Sequence, residues 1–320
     1  MEVESADALA ALALTDEERL VWAEHANRLH VFRLFQYAGD IVGGVRDRRL
    51  GDLVGCTPQA QAFDRVWITE GIGYLRGSGI RDESGVPERS LIPLHAGAGL
   101  FMAVRWLLHA HPCDTDMLVD GFVAECRDVS RAGFDRVTFE AMGLAVATVQ
   151  PARAASIDAS LARRDPILRA CFWHGYGRGC YFSVTNWETV GEVPMRAAAL
   201  MCRQATTTAG ARNAIAGFIW AVTLVNLQMP EVIERYVAAL AHDLDADALA
   251  NGIESSLIVW QHAAPDDDAL VRVLQYKPGL IASFRDWDRI VHRPARAACD
   301  RHRACVRDGR IQDVFHFGPV

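Results

Sequence analysis

The stretch Ala170 to Val184, ACFWHGYGRGCYFSV, sets the strongest limit on how this chain can fold. Asp165-Pro166 just upstream reads as a helix start, yet the helix so begun carries Gly175, Gly177 and Gly179 among large aromatics. Each glycine weakens a helix interior by about 1 kcal/mol relative to alanine. A sequence that keeps three of them is expected to need something close to its backbone, either a neighbouring helix or a ligand. His174 and Arg178 stand one turn apart on the same face of this helix.

Helix signals follow one another along the rest of the chain. Thr15 with Glu18 forms a capping box before a long amphipathic helix that ends near Gly39. Thr57-Pro58 reads as an N-cap and first helical residue, opening a helix that carries Phe63, Val66, Trp67 and Glu70 and ends at Arg76. Residues 77–90 hold glycine, serine, proline and charge, and read as a long loop. Leu91 to His109 reads as an apolar helix closed by His111-Pro112, Asp114 as the cap of Thr115 to Val129, and Phe134 to Val149 as the next helix. A short helix over 153–163 leads to the Pro166 helix. Further helices are predicted at Pro194 to Thr206, at Arg212 to Leu227, from Pro230 to about His242, and from a cap at Asp245 or Asp247 to near His262. Pro265 to Asp268 starts another, and Lys277-Pro278-Gly279 ends it. Within the tail, the run VFHF from Val314 reads as extended. About a dozen helices with short connections predict one all-α domain over 1–320.

A polar residue followed by small residues recurs at the centre of apolar helices. It appears as Glu70-Gly-Ile-Gly73, His95-Ala-Gly-Ala-Gly99, Glu140-Ala-Met-Gly143, His174-Gly-Tyr-Gly177, Asn213-Ala-Ile-Ala-Gly217 and Asn251-Gly-Ile-Glu254. The intervals of 25, 45, 34, 39 and 38 residues centre on the length of a helical hairpin repeat. Such repeats are expected to form an open superhelix or a closed α/α toroid. Small residues three or four apart share one helix face and let neighbouring helices approach closely. Glu70, His95, Glu140 and His174 would then point toward one concave surface or central cavity.

A carboxylate inside an apolar helix is costly unless paired, so Glu70 and Glu140 require partners, and His95 and His174 are the natural ones. Read structurally, such Glu–His pairs fix helix register. Read chemically, they form an acid/base site in which a Glu of raised pKa, or a His near neutrality, moves protons on a substrate. Arg178 either binds a carboxylate or phosphate of that substrate or pairs with Glu140. Tyr176, Tyr181 and Trp220 are the expected substrate-binding residues, in an aromatic set with Trp67, Phe172, Trp173, Phe182 and Trp260 that serves equally as core.

Two Glu and two His also form a metal-ligand set by type, without the Glu-x-x-His spacing of four-helix carboxylate sites. Cys299, His302 and Cys305, with His292, match no zinc spacing. Metal and cofactor therefore stay unknown at this level. Asp114-Thr-Asp116 and Asp243-Leu-Asp245-Ala-Asp247 read as helix caps. The chain has no phosphate loop, dinucleotide fingerprint, Gly-x-Ser-x-Gly elbow or His-Glu-x-x-His motif.

A net charge of −7 opposes nucleic-acid binding. The eight cysteines are scattered through apolar runs and read as core residues of a reducing compartment. The start MEVESADALAALAL is acidic and lacks the basic region of an export signal. The apolar stretch Leu91 to Leu108 is interrupted by His95 and Arg105, and Ala214 to Val225 is too short to span a bilayer. A cytoplasmic protein without membrane association is expected.

The motifs FEAMGLAV at Phe139 to Val146, LHAGAGLFMAV at Leu94 to Val104 and GYGRGCYF at Gly175 to Phe182 resemble those of the UnbL-like family, encoded in enediyne polyketide gene clusters. The similarity covers residues 60–230, with the His-Ala-Gly helix preceding FEAMGLAV in this chain. The resemblance implies a bacterial secondary-metabolite pathway and a polyene-derived substrate, with no established activity. The expected function is binding or acid/base conversion of a hydrophobic, polyene or isoprenoid-like small molecule in an aromatic-lined cavity, in the manner of a lyase, isomerase or cyclase. The alternative is a tetratricopeptide-like scaffold that binds a partner protein or peptide on a concave face.

Overall fold

The computed structural model describes residues 14–43, 49–57, 61–109, 114–183, 193–279 and 284–318, and every regular element among them is helical. The helices are α1 (Asp16–Gly43), α2 (Leu50–Gly55), α3 (Ala62–Arg76), α4 (Leu91–His109) and α5 (Thr115–Val129). They continue with α6 (Asp135–Val149), α7 (Ala154–Ala162), α8 (Pro166–Phe182), α9 (Val193–Gln204) and α10 (Thr208–Val225). The last are α11 (Pro230–Leu240), α12 (Ala246–Ala263), α13 (Ala269–Gln275), α14 (Phe284–Trp287) and α15 (Arg293–Arg307), the final pair joined by a π-turn over Asp288–His292.

Most caps lie where side-chain chemistry places them. The Thr15 amide donates to Glu18 Oε2 at 2.7 Å, and the Glu18 amide donates back to Thr15 Oγ1 at 3.3 Å. Asp165 accepts from the amides of Ile167 and Leu168, Thr207 from that of Gly210, and Asp245 from that of Ala248. Asp245, not Asp247, is thus the cap of α12. Thr57 does not open α3: its hydroxyl turns back to the Val54 carbonyl at 2.7 Å and closes α2, while α3 begins at Ala62. Pro58, His111 and Pro112 lie outside the described residues. Asp114 precedes α5 without a side-chain cap bond.

Residues 77–90 are less irregular than their composition suggests, holding 3₁₀ turns at Gly77–Arg81 and Glu88–Ser90, the second running straight into α4. Of the VFHF run, His316 has extended backbone but Val314 and Phe315 do not. Val314 and Phe315 close a 3₁₀ turn, Ile311–Phe315, because Phe315 folds inward and is 1% exposed. A lone strand there would have left its backbone groups without a ladder partner.

The core is a row of apolar helices, each packed on the next: α3 on α4, α4 on α6, α6 on α8, α8 on α10, α10 on α12 and α12 on α15. Helix α1 lies against α3 and reaches α10 and α11. The glycines decide how close the row can become. A Cβ placed on Gly175 would collide with the Glu140 carbonyl, and one on Gly143 with the Phe172 carbonyl. Gly177 meets the Ala214 carbonyl in the same way, and Gly217 that of His174. The glycines of α8 therefore answer to neighbouring helix backbones, which resolves the choice between helix and ligand posed by the sequence. The helices containing Leu91–His109 and Thr208–Val225 are long and apolar enough to cross a bilayer, but most of both is buried inside the molecule.

This packing predicts opposite outcomes for two glycines. Gly39 in α1 has nothing within 4 Å of an added Cβ, so Gly39→Ala should gain up to about 1 kcal/mol. Gly175→Ala should lose about 1–3 kcal/mol by forcing α6 and α8 apart. Urea denaturation of the two variants beside the parent protein reads both signs.

Candidate functional site

The close approach of α6 and α8 brings four charged or titratable side chains into one buried row. His174 Nδ1 lies 2.9 Å from Glu140 Oε1, and Arg178 Nη1 donates to Glu140 Oε2 at 2.8 Å. Arg178 then reaches α3, where Nη2 donates to Glu70 Oε1 at 2.9 Å. The sequence provides for this locally. His174 and Arg178 are one turn apart, and Gly175 beside them lets the Glu140 backbone close in. Trp220 of α10 lies over the Arg178 guanidinium at 4.8 Å, and Trp220 and Phe315 both meet the His174 ring edge-on at 6.0 Å.

Two carboxylates share one guanidinium, and the row treats them differently. Burial works to raise the Glu140 carboxyl, but Arg178 and His174 outweigh it and hold it below its ordinary range. At Glu70 burial wins over Arg178, and the neighbouring Glu140 charge adds to it, so that carboxyl is pushed up. Burial lowers the Arg178 guanidinium less than the two carboxylates raise it. Glu140 is thus the settled anion of the row, and Glu70 is the group biased toward its protonated form.

Glu70 and Arg178 also line a cavity of about 430 Å³ between α1, α3, α4, α6 and α8. Its other walls are Phe32 and Phe35, Trp67 and Tyr74, Phe182 and aliphatic side chains, with Thr148 the remaining polar group. Arg178 Nε and Trp67 Nε1, both beside this cavity, are buried without a hydrogen-bond partner, as are His174 Nε2 and Trp220 Nε1 further in.

His95 does not join the row. It lies five residues before Leu100, which does line the cavity, and so points about 140° away around α4. There His95 Nε2 is 2.7 Å from Glu83 Oε1, out of line for a hydrogen bond, and the ring stacks on Phe134 at 5.2 Å. Tyr176 packs among Phe172 and Trp173 with its hydroxyl unpartnered. Tyr181 accepts from Asn226 Nδ2 at 2.9 Å and lies beneath Arg28. Neither tyrosine is part of the cavity wall, and Trp220 acts on the site through Arg178.

Among the described residues no three His, Cys, Asp or Glu side chains gather as a metal site. His302 faces His262, with ring centroids 5.7 Å apart, instead of joining Cys299 and Cys305.

A second buried cluster was missed in the sequence. Glu24 of α1 accepts from the Tyr236 hydroxyl at 2.6 Å and lies 3.4 Å from both Arg28 and Arg235. Its signal was present, since Glu24 and Arg28 share the buried stripe of Val21, Val31, Leu34 and Ala38. Asp158 likewise gathers Arg169, Trp173 Nε1 and Thr206. No protein-family model matches the chain, and no curated protein or solved structure matches it.

The two carboxylates should separate experimentally. Glu140 has a lowered folded pKa, so its contribution to stability is present above the unfolded pKa and is lost as pH falls through the folded one. Glu70 has a raised folded pKa, so its contribution is present below the unfolded pKa and is lost as pH rises through the folded one. Glu140→Gln should cost about 3–5 kcal/mol at neutral pH by leaving Arg178 underpaired. Glu70→Gln should cost much less, and its stability relative to the parent should improve as pH rises. Chemical denaturation at several pH values distinguishes the two.

Proposed function

We propose that this protein binds a hydrophobic, polyene or isoprenoid-like intermediate of bacterial secondary metabolism and converts it by acid/base chemistry, with Glu70 as the acid. One observation carries the reading: the 430 Å³ cavity has aromatic and aliphatic walls, and its two ionisable groups, Glu70 and Arg178, belong to the buried row, where burial pushes the Glu70 carboxyl up. A cavity of this size suits a small molecule. Glu70 holds Arg178 through Oε1, which leaves Oε2 to present a proton to the ligand. Arg178 stabilises the carboxylate left behind, and Glu140, steadied by His174, holds Arg178 in place. A proton delivered to a double bond or a leaving group in apolar surroundings initiates lyase, isomerase or cyclase chemistry. The aromatic walls suit the cation that forms.

We infer for the fold a helical-hairpin repeat that closes toward a toroid. Support comes from the continuous row α3–α4–α6–α8–α10–α12 and from Phe63 of α3 meeting Trp260 of α12, ring centroids 6.2 Å apart. A partner-protein role draws support from Trp22, Leu29 and Tyr37, which stand exposed on α1. The cavity favours the small-molecule reading.

Titration with trans-parinaric acid, a fluorescent conjugated polyene, tests binding through energy transfer from Trp67. One equivalent should bind the parent protein, and Leu100→Trp, which fills the cavity, should abolish the signal. Equal binding by both proteins would sink the reading. Glu70→Gln should keep the probe but lose conversion of the natural intermediate, and the parent's rate should fall as pH climbs through the raised Glu70 pKa.

A further inference from the structure

The sixth copy of the polar motif, Asn251 to Glu254, does not enter the row around Arg178. Its polar side chains, three residues apart on one face of α12, line a separate cavity of about 560 Å³ between α12, α15 and the C-terminal turn. Phe315 turns the other way, toward His174, while Val314, His316 and Phe317 face this second space.

The polar atoms in this cavity are unevenly satisfied. Glu254 is only 8% exposed, and its Oε2 accepts from Arg301 Nη1 at 2.9 Å. Its Oε1 is buried without a partner, as are Asn251 Oδ1 and His316 Nδ1. Arg301 compensates Glu254 weakly, because its side chain is 64% exposed and its charge is screened by solvent. Burial accordingly outweighs Arg301 and pushes the Glu254 carboxyl up. Burial also pushes the His316 imidazole down, so the ring is neutral and Nδ1 can accept a hydrogen bond.

We propose that this cavity binds a small molecule through a primary ammonium group, held by Glu254 Oε1, Asn251 Oδ1 and His316 Nδ1. The match is one of number and charge. An ammonium has three N–H donors and no acceptor, and the cavity offers three buried acceptors, one of them a carboxylate oxygen. A hydroxyl satisfies fewer of these atoms and brings no charge to Glu254. A buried charge-assisted hydrogen bond is worth roughly twice a neutral one, so the cation is preferred. The site is independent of Glu70 and its cavity.

Isothermal titration with butane-1,4-diamine tests the proposal, with butane-1,4-diol as the uncharged counterpart. Saturable one-to-one binding of the diamine, no saturable heat from the diol, and a loss of about tenfold or more in Glu254→Gln are expected. Glu17→Gln, which removes an exposed carboxylate on α1, should leave the affinity unchanged and so excludes general attraction to an acidic surface. If Glu254→Gln does not fold, Asn251→Val keeps the Arg301 pair and should still weaken the diamine severalfold. No saturable binding of the diamine, equal binding of the diol, equal losses in Glu254→Gln and Glu17→Gln, or unchanged affinity in the cavity variants would overturn the proposal.

Discussion

Contact between helix backbones at glycine governs this molecule. Where Gly175 meets the Glu140 carbonyl and Gly177 that of Ala214, no side chain separates the helices. Their spacing is therefore set by main-chain atoms, which cannot change rotamer. Polar side chains next to those glycines acquire fixed positions by the same means. Glu140, His174 and Arg178 meet at 2.8–2.9 Å because α6 and α8 cannot stand further apart without losing that contact. The cost of glycine in each helix is thereby offset by the close packing it permits.

The charge balance within the row is the second consequence. A single guanidinium serving two carboxylates leaves one negative charge undercompensated if both are ionised, and low-polarity surroundings make that expensive. Contact geometry decides which carboxylate yields. Glu140 receives both Arg178 and His174, whereas Glu70 receives Arg178 alone. The more weakly supported group is the one that faces the cavity, so the bias toward a protonated carboxyl appears where a bound molecule would meet it. The tryptophan stacked on Arg178 adds to the guanidinium's hold without competing for its hydrogen bonds.

Local signals in the sequence carried a great deal. Capping chemistry at Thr15, Asp165 and Asp245 marked helix starts closely, and the demand of a buried carboxylate for a partner pointed to Arg178 and His174 beside Glu140. What was not legible depends on rotation about helix axes. His95 belongs to the same motif as its counterparts, yet it faces Phe134 and Glu83, because the direction in which a helix face turns is set by tertiary packing and not by the motif. Tyr176 and Tyr181 show the same limit, since aromatic side chains suit a core as well as a cavity. Phe315 lay beyond any local rule: a turn near the end of the described chain packs on His174, far away in sequence, for reasons only tertiary contact supplies.

The walls of the first cavity combine fixed main-chain contacts with side chains that can turn. Between α3, α4, α6 and α8 the glycine contacts join backbone to backbone, and that part of the enclosure is stiff. Helix α1 also meets α3 through a glycine, Gly71 against the Phe35 backbone, but it faces the cavity with the rings of Phe32 and Phe35, which can turn about their own bonds while the helix stays in place. For the occupant proposed above, length and overall shape would be dictated by the main-chain contacts, and tolerance of small variations would fall to two phenyl groups. Such an enclosure would discriminate coarsely by backbone and adjust finely by side chain.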